Sequence, residues 1–366
     1  MRINPNIAGL TPYQPGKPID EVTRELGLSE VIKLASNENP RGPGAAVVEA
    51  IGSACDTLSL YPDGNAFYLK QALAKHIGVA ADQLTIGNGS NDVLDLAARC
   101  ALTPGAEAIV AEHAFVVYRL ATVAAGGTLV EVPAANYGAD LSAMLDAISE
   151  ATAIIFLANP NNPTGTWVGK GELTAFLDAV PEHIWVVLDE AYLEYVDNAD
   201  YPNGVSLLPR YPNLLVTRTF SKIYGLASLR VGYAVSAPET ADLLNRVRQP
   251  FNVNSLALAA AEAALGEVEF VADSRRLNAE GMANVVAGLA DLGLSYIPSV
   301  GNFVSFDVGV PAGQAHQALL AEGVIVRAVA EYGLPTHLRV TIGLANENAR
   351  FLAALGRVLP KLRRTA

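Results

Sequence analysis

The chain has 366 residues, 51% hydrophobic and 17% charged, with a formal net charge of −12 at pH 7. Such a length exceeds one ordinary core, and such a composition excludes a disordered polypeptide. The acidic excess argues against nucleic acid or anionic membrane as a partner, and no apolar run approaches the roughly 18 residues of a spanning helix.

Taken in order, residues 1–30 read as an arm, because Pro12, Pro15 and Pro18 forbid a regular helix or a central strand; a short helix follows over Ile19–Leu26. Polar residues and prolines stand where a signal peptide would have its apolar core, so a cytoplasmic protein is expected. Tyr13 in this arm either covers apolar surface or reaches a site. Ile32–Ala35 reads as a strand running into the turn-formers Ser36-Asn37-Glu38-Asn39-Pro40, and a helix follows over Pro43–Ser53. Tyr61-Pro62-Asp63-Gly64 is a turn, and Phe67–Ile77 has the spacing of an amphipathic helix. Leu84–Gly87 is a strand, Asn88-Gly89-Ser90-Asn91-Asp92 a polar connection, and Val93–Leu102 a helix. The backbone N–H groups at that helix start suit either a phosphate or a plain N-cap. Cys55 and Cys100, in alanine-rich helical contexts, read as small buried hydrophobes and not as a metal site or a disulfide.

Strands then alternate with helices: strands at 108–111, 128–132, 153–158, 184–189, 213–218 and 231–236, helices at 116–125, 141–148 and 170–179. Alternation of this kind predicts an α/β fold with a mainly parallel sheet, helices on both faces, and ligands beyond the carboxyl ends of the strands. Pro238–Arg248 begins a helical stretch, and one long helical region is expected over Ser255–Leu292. The remainder reads as α+β, with strands near Tyr296 and at 303–306, 324–327 and 338–342, a helix over Gly313–Glu322 and a final helix from Glu347. The expected division is an arm at 1–30, a small domain from 31–45 with 255–366, and a large domain at 46–254. Arg327 and Arg339 lie on strand-like segments. Facing inward each needs an anionic partner; facing outward each is an ordinary surface arginine.

Three polar clusters close apolar runs: Asn161-Asn162-Pro163-Thr164-Gly165, Asp189-Glu190-Ala191-Tyr192, and Thr219 with Ser221-Lys222. A lysine beside small hydroxyls suits a phosphate ligand or a Schiff-base nucleophile, and a Schiff base needs an electron sink. A pyridine ring serves when a buried aspartate such as Asp189 keeps its nitrogen protonated. Asn162 and Tyr192 are placed to hydrogen-bond a phenolate oxygen; Arg230, the hydroxyls and the Ser90 helix start are suited to a phosphate dianion. Taken singly, each could equally be an N-cap, a packing tyrosine or a loop asparagine.

With these three signatures in this order, the chain resembles the fold-type I pyridoxal-phosphate aminotransferases over essentially its whole length. Within them it is similar to the histidinol-phosphate branch, through Pro12-Tyr13, Gly16-Lys17-Pro18, Leu34–Pro40, Tyr61-Pro62-Asp63-Gly64, and Arg327 with Arg339. The resemblance implies a large domain with a seven-stranded sheet and a smaller α+β domain. It implies pyridoxal 5'-phosphate in Schiff-base linkage to Lys222, which also shuttles a proton. Asp189 would face the ring nitrogen, Asn162 and Tyr192 the phenolate oxygen, and Phe115 or Tyr118 the ring face, where the family commonly has a tyrosine. Ser90, Asn91, Thr219, Ser221 and Arg230 would surround the cofactor phosphate, joined by Tyr61 from the other subunit of a homodimer. Tyr13, Asn39, Arg327 and Arg339 would line the substrate side. The implied reaction moves an amino group between histidinol phosphate and 2-oxoglutarate, giving glutamate and the phosphorylated ketone. Phenylalanine or tyrosine transamination is the alternative; a decarboxylase or an inactive cofactor-binding module of the same fold stands further off. A nucleotide-binding protein is disfavoured because no Gly-x-Gly-x-x-Gly or P-loop pattern is present.

Overall fold

The computed structural model describes residues 5–12, 16–28 and 30–365, so Tyr13 lies outside the described residues. After a two-residue strand, β1 (Ile32–Lys33), seven strands build the large sheet. They are β2 (Leu84–Gly87), β3 (Glu107–Ala111), β4 (Thr128–Val132), β5 (Thr152–Ala158), β6 (Trp185–Asp189), β7 (Leu214–Thr219) and β8 (Gly232–Val235). Their order across the sheet is β2-β8-β7-β6-β5-β3-β4. Pairs from β7 through β4 are parallel, whereas β8 is antiparallel to both β2 and β7. The mainly parallel sheet expected from the alternation is therefore present. The carboxyl ends of β2, β3, β5, β6 and β7 and the beginning of β8 consequently share one edge.

Helices sit on both faces, which is why the central strands carry unbroken apolar runs. Ile109, Ile155, Val186 and Leu214 face one core, while Ala108, Ile154, Phe156, Val187 and Leu215 face the other. Adjacent residues fall on opposite faces because side chains alternate along a strand.

The C-terminal part carries β9 (Tyr296–Ile297), β10 (Phe303–Asp307), β11 (Val324–Ile325), β12 (Arg327–Ala328) and β13 (His337–Thr341). Four of these form an antiparallel sheet, β12-β13-β10-β9, with its own core of Val304, Phe306, Leu338, Val340 and Phe351. β11 instead pairs in parallel with β1, which joins the start of the chain to its end.

Four expectations are corrected. The helical region 255–292 is two helices, Ser255–Ala264 and Val268–Asp291. The break at Leu265-Gly266-Glu267 lets the Glu267 carboxylate accept the Ala46 N–H at 3.0 Å, capping the helix Ala45–Ala54. The helix placed at Val93–Leu102 begins at Ser90, because Gly89 turns the chain at φ 80° and Asp92 accepts the Asn88 N–H at 2.8 Å. The strand expected over 324–327 is split at Val326 between two sheets. Cys55 is exposed and Cys100 only half-buried, since Cys55 follows a helix that buries a single residue, Val47. Among the described residues, no helix is long and apolar enough to cross a membrane.

Candidate active site

A cavity opens at the shared strand edge. Its walls collect most of the residues singled out from the sequence: Ser90, Asn91, Phe115, Asn162, Asp189, Tyr192, Thr219, Ser221, Lys222, Arg230 and Arg339. Topology explains the gathering. Asp189 ends β6, Thr219 ends β7 with Ser221 and Lys222 just beyond it, and Arg230 lies just before β8. Asn162 follows β5, Ser90 opens the helix after β2, and Arg339 arrives from the middle of the small sheet.

Asp189 is buried and held by hydroxyls: Tyr118 donates to Oδ2 at 2.8 Å and Thr217 to Oδ1 at 3.0 Å. Burial pushes its carboxyl up from the ordinary range, against the pull of those two hydrogen bonds and the Ala191 backbone N–H. Burial, reinforced by Asp189, also keeps the Tyr118 phenol protonated and hence a donor. Phe115 stands edge-on to Tyr118 at 6.0 Å, and Tyr118 stacks on Phe156. Of the two aromatic candidates, Tyr118 is thus committed to Asp189, while both border the cavity.

Lys222 reaches the Ser36 carbonyl at 3.3 Å and lies 5.5 Å from the centroid of the Tyr192 ring. Burial first, then Arg339 and Arg230, push its amine down to about 7. A substantial fraction is therefore neutral and nucleophilic at neutral pH.

Opposite stands an anion cradle. The Arg230 guanidinium donates to Ser221 Oγ at 3.3 Å and to the Ala227 carbonyl at 3.0 Å. A Cβ at position 89 would meet Arg230 Nη2 at 2.5 Å, and one at Gly232 would meet the Ser90 nitrogen at 2.4 Å. Only glycines let guanidinium, strand and helix N-terminus come this close, and that helix end adds partial positive charge and backbone donors. The donor set suits a phosphate dianion. The buried carboxylate is suited to a protonated heterocyclic nitrogen, and the low-pKa amine to a carbonyl carbon.

Other residues fall elsewhere. Asn39 was expected on the substrate side, but its amide donates to the Ile223 carbonyl at 2.7 Å and Ser274 Oγ at 3.0 Å, and its Oδ1 accepts the Arg41 N–H. It ties its loop to the segment carrying Lys222 and does not line the cavity. Tyr61 is 83% exposed and stacks on Phe251 at 4.7 Å, away from this chain's own cavity. Arg327 is buried beside Arg339 and pairs with Glu331. Arg339 donates to Asn162 Oδ1 and to the Ala35 carbonyl.

The structure adds residues that no motif chemistry singles out. Asn37, with φ 55°, donates to the Tyr192 hydroxyl at 2.9 Å and exchanges bonds with Thr341, orienting that phenol. Tyr332 closes one wall of the cavity. A turn-former cluster hints at a left-handed Asn37; nothing local hints at Tyr332.

Comparison with known proteins agrees with this geometry. A family model described as aminotransferase class I and II matches residues 29–355. Histidinol-phosphate aminotransferase 2 of Pseudomonas fluorescens is 58% identical over 359 residues, covering 98% of this chain and 97% of that protein. The protein of that name from Pseudomonas aeruginosa is 58% identical over 357 residues, 97% of each. Among solved structures, the histidinol-phosphate aminotransferase of Sinorhizobium meliloti, in complex with pyridoxal-5'-phosphate, superposes with a TM-score of 0.90 at 32% identity, covering 99% of this chain and 98% of that one. The chain belongs to the class I and II aminotransferase family, and within it to the histidinol-phosphate aminotransferases.

Proposed function

We propose that the chain is a pyridoxal-phosphate-dependent aminotransferase that moves an amino group between L-histidinol phosphate and 2-oxoglutarate in histidine biosynthesis. The observation that carries the reading is one cavity lined by Lys222, by a buried carboxylate held by neutral donors, and by an arginine–helix anion cradle. Pyridoxal phosphate, when bound, supplies an electron-withdrawing ring that stabilises negative charge on the substrate's α-carbon. Ser90, Asn91, Thr219, Ser221 and Arg230 would hold its phosphate, Asp189 its ring nitrogen, Asn162 and Tyr192 its phenolate oxygen, and Phe115 its face. A protonated ring nitrogen would set a cation against the buried Asp189 carboxylate and lower its pKa. Tyr118 and Thr217 fix that carboxylate in place. Lys222 would carry the proton between the substrate's α-carbon and the cofactor carbon C4′, one way in the first half of a ping-pong cycle and the reverse way in the second; a pKa near 7 suits both directions.

Arg339 and Arg327, opposite each other across β12 and β13, would receive the substrate phosphate, and Tyr13 would line the substrate side. The working enzyme is read as a cytoplasmic homodimer, with Tyr61 serving the other subunit's cofactor phosphate. The division into arm, 31–45 with 255–366, and 46–254 belongs to the same proposal.

The test is kcat/KM for histidinol phosphate, phenylalanine and tyrosine, each with 2-oxoglutarate as acceptor. Histidinol phosphate is expected to win on the order of a hundredfold, because a site built around a dianion is left with unpaired charge by an analogue lacking it. Arg327→Ala should cost histidinol phosphate turnover far more than phenylalanine turnover. Equal aromatic turnover in the parent would overturn the assignment of substrate.

A further inference from the structure

We propose that Glu331 is a specificity-determining residue: a resident counter-anion on Arg327 that a substrate phosphate displaces and an uncharged substrate side chain does not. This rests on the reading above, in which Arg327 receives the substrate phosphate.

Arg327 has 9% of its side chain exposed and pairs with Glu331, four residues on, whose side chain is 41% exposed. Arg327 and Arg339 are direct partners in the β12–β13 register, so their side chains rise from the same face of the sheet. Arg339 lines the active cavity. Glu331 belongs to the turn Ala330–Tyr332, and the next residue, Tyr332, is itself a wall of that cavity. The turn is pinned by the contact between His113 Nδ1 and the Tyr332 carbonyl. Glu331 therefore sits one residue from the cavity wall, bonded to the arginine that stands opposite Arg339 in the β12–β13 register.

A nearly buried guanidinium is costly without an anion, and Glu331 supplies one to the unliganded chain. Its own carboxylate is half in water, so the pair is only modestly stable and can be exchanged. A phosphate monoester brings nearly twice the charge and three acceptor oxygens, and replaces the carboxylate with a net gain. An uncharged aromatic side chain cannot do this, and the Arg327–Glu331 pair stays closed beside it. The displaced carboxylate has a place to go. Glu331 borders two further clefts, one with Glu112 and Glu131 and one with Leu10, Thr11 and Pro12, and Arg119 borders both. Glu331 thus weakens phosphate binding by the cost of its own displacement. It also lets the site tolerate side chains that carry no anion. Removing its charge should sharpen discrimination.

The test compares the cofactor-loaded parent with Glu331→Gln and Arg327→Lys, using calorimetric binding of inorganic phosphate and kcat/KM for histidinol phosphate and phenylalanine. Glu331→Gln is expected to bind phosphate about fivefold more tightly, the worth of a half-exposed ion pair, and to raise the histidinol phosphate to phenylalanine ratio by at least as much. Arg327→Lys, which keeps the charge but loses the forked donor, should weaken phosphate. Unchanged or weaker phosphate binding in Glu331→Gln, with Arg327→Lys still weakened, overturns the role of Glu331 and leaves the substrate assignment standing. No effect in either variant overturns both. Tighter binding in Glu331→Gln with Arg327→Lys unaffected also overturns the proposal, since Glu331 would then act through another group.

Discussion

At the scale of single residues, Lys222 is where chemistry and stability oppose each other. Burial, then Arg339 and Arg230, bring its amine to about 7, against 10.5 for an ordinary lysine. In the unfolded chain the same amine keeps its proton up to the ordinary range. Between about 7 and 10.5 the unfolded state therefore binds the additional proton, and stability rises with pH across that window. Below about 7 both states are protonated and the cost of enclosing the cation is fully present. Lys222→Met removes that cost along with catalysis. The cofactor-free variant is expected to melt above the parent, with the gap widest below pH 7 and closing toward the ordinary lysine pKa, while transamination is abolished. Calorimetry of both cofactor-free proteins across pH reads this, and a gap that does not change with pH would show that the amine is not held low. Lys222 and Asp189 are legible in the sequence because each follows an apolar run with chemistry a strand end can use. Asn37 is not, because its role comes from a positive φ and a bond to a hydroxyl 155 positions away.

At the scale of elements, hydrophobic pattern reveals where strands and helices lie but not where backbones touch. The alternation of residues 108–236 predicts the sheet, yet the direction of β8 depends on partners far along the chain. The two breaks missed from sequence, at Gly266 and Val326, answer to tertiary demands: a cap on another helix and membership of two sheets. Gly232 is the clearest contact of this kind. It pairs with Gly87 and Thr219, and a Cβ there would lie 2.4 Å from the Ser90 nitrogen and 2.9 Å from the Arg218 carbonyl oxygen. Both obstacles are backbone, so relief has to come from moving the helix start away from β8, and that opens the anion cradle with Arg230. Gly232→Ala is expected to weaken pyridoxal phosphate binding on the order of tenfold and to lower the melting temperature. Gly313→Ala, on a helix with nothing within 4 Å of the added carbon, is the control and should leave cofactor affinity unchanged. Cofactor titration of the two variants separates them; equal affinities would mean that the helix start does not hold the phosphate.

At the scale of the whole molecule, the turn at Tyr61 presents an apolar surface that the proposed second subunit would cover. Leu58, Leu60, Tyr61, Phe67, Tyr68 and Phe251 are all exposed, and Tyr61 lies flat on Phe251. An apolar cluster of this kind on a folded surface marks an interface. Only Tyr61 is assigned to a second subunit from sequence, and that by resemblance; the others carry no such mark, because an exposed leucine and a buried one are written alike until the chain is folded. If Tyr61 completes the neighbour's phosphate site, each active site draws Lys222 from one subunit and Tyr61 from the other. Lys222→Ala and Tyr61→Ala homodimers should then both be impaired, the first in chemistry and the second in cofactor affinity. Mixing and reannealing the two variants would give hybrids with one site carrying neither lesion. At limiting cofactor concentration, activity should recover toward half that of the parent for each hybrid dimer, with the dimer mass confirmed by light scattering. A monomeric mass would remove the interface. A dimer whose hybrids show no recovery would place Tyr61 in its own subunit's site or in none. Recovery would fix the partner contribution, because only a shared site regains a complete set of groups from two incomplete chains.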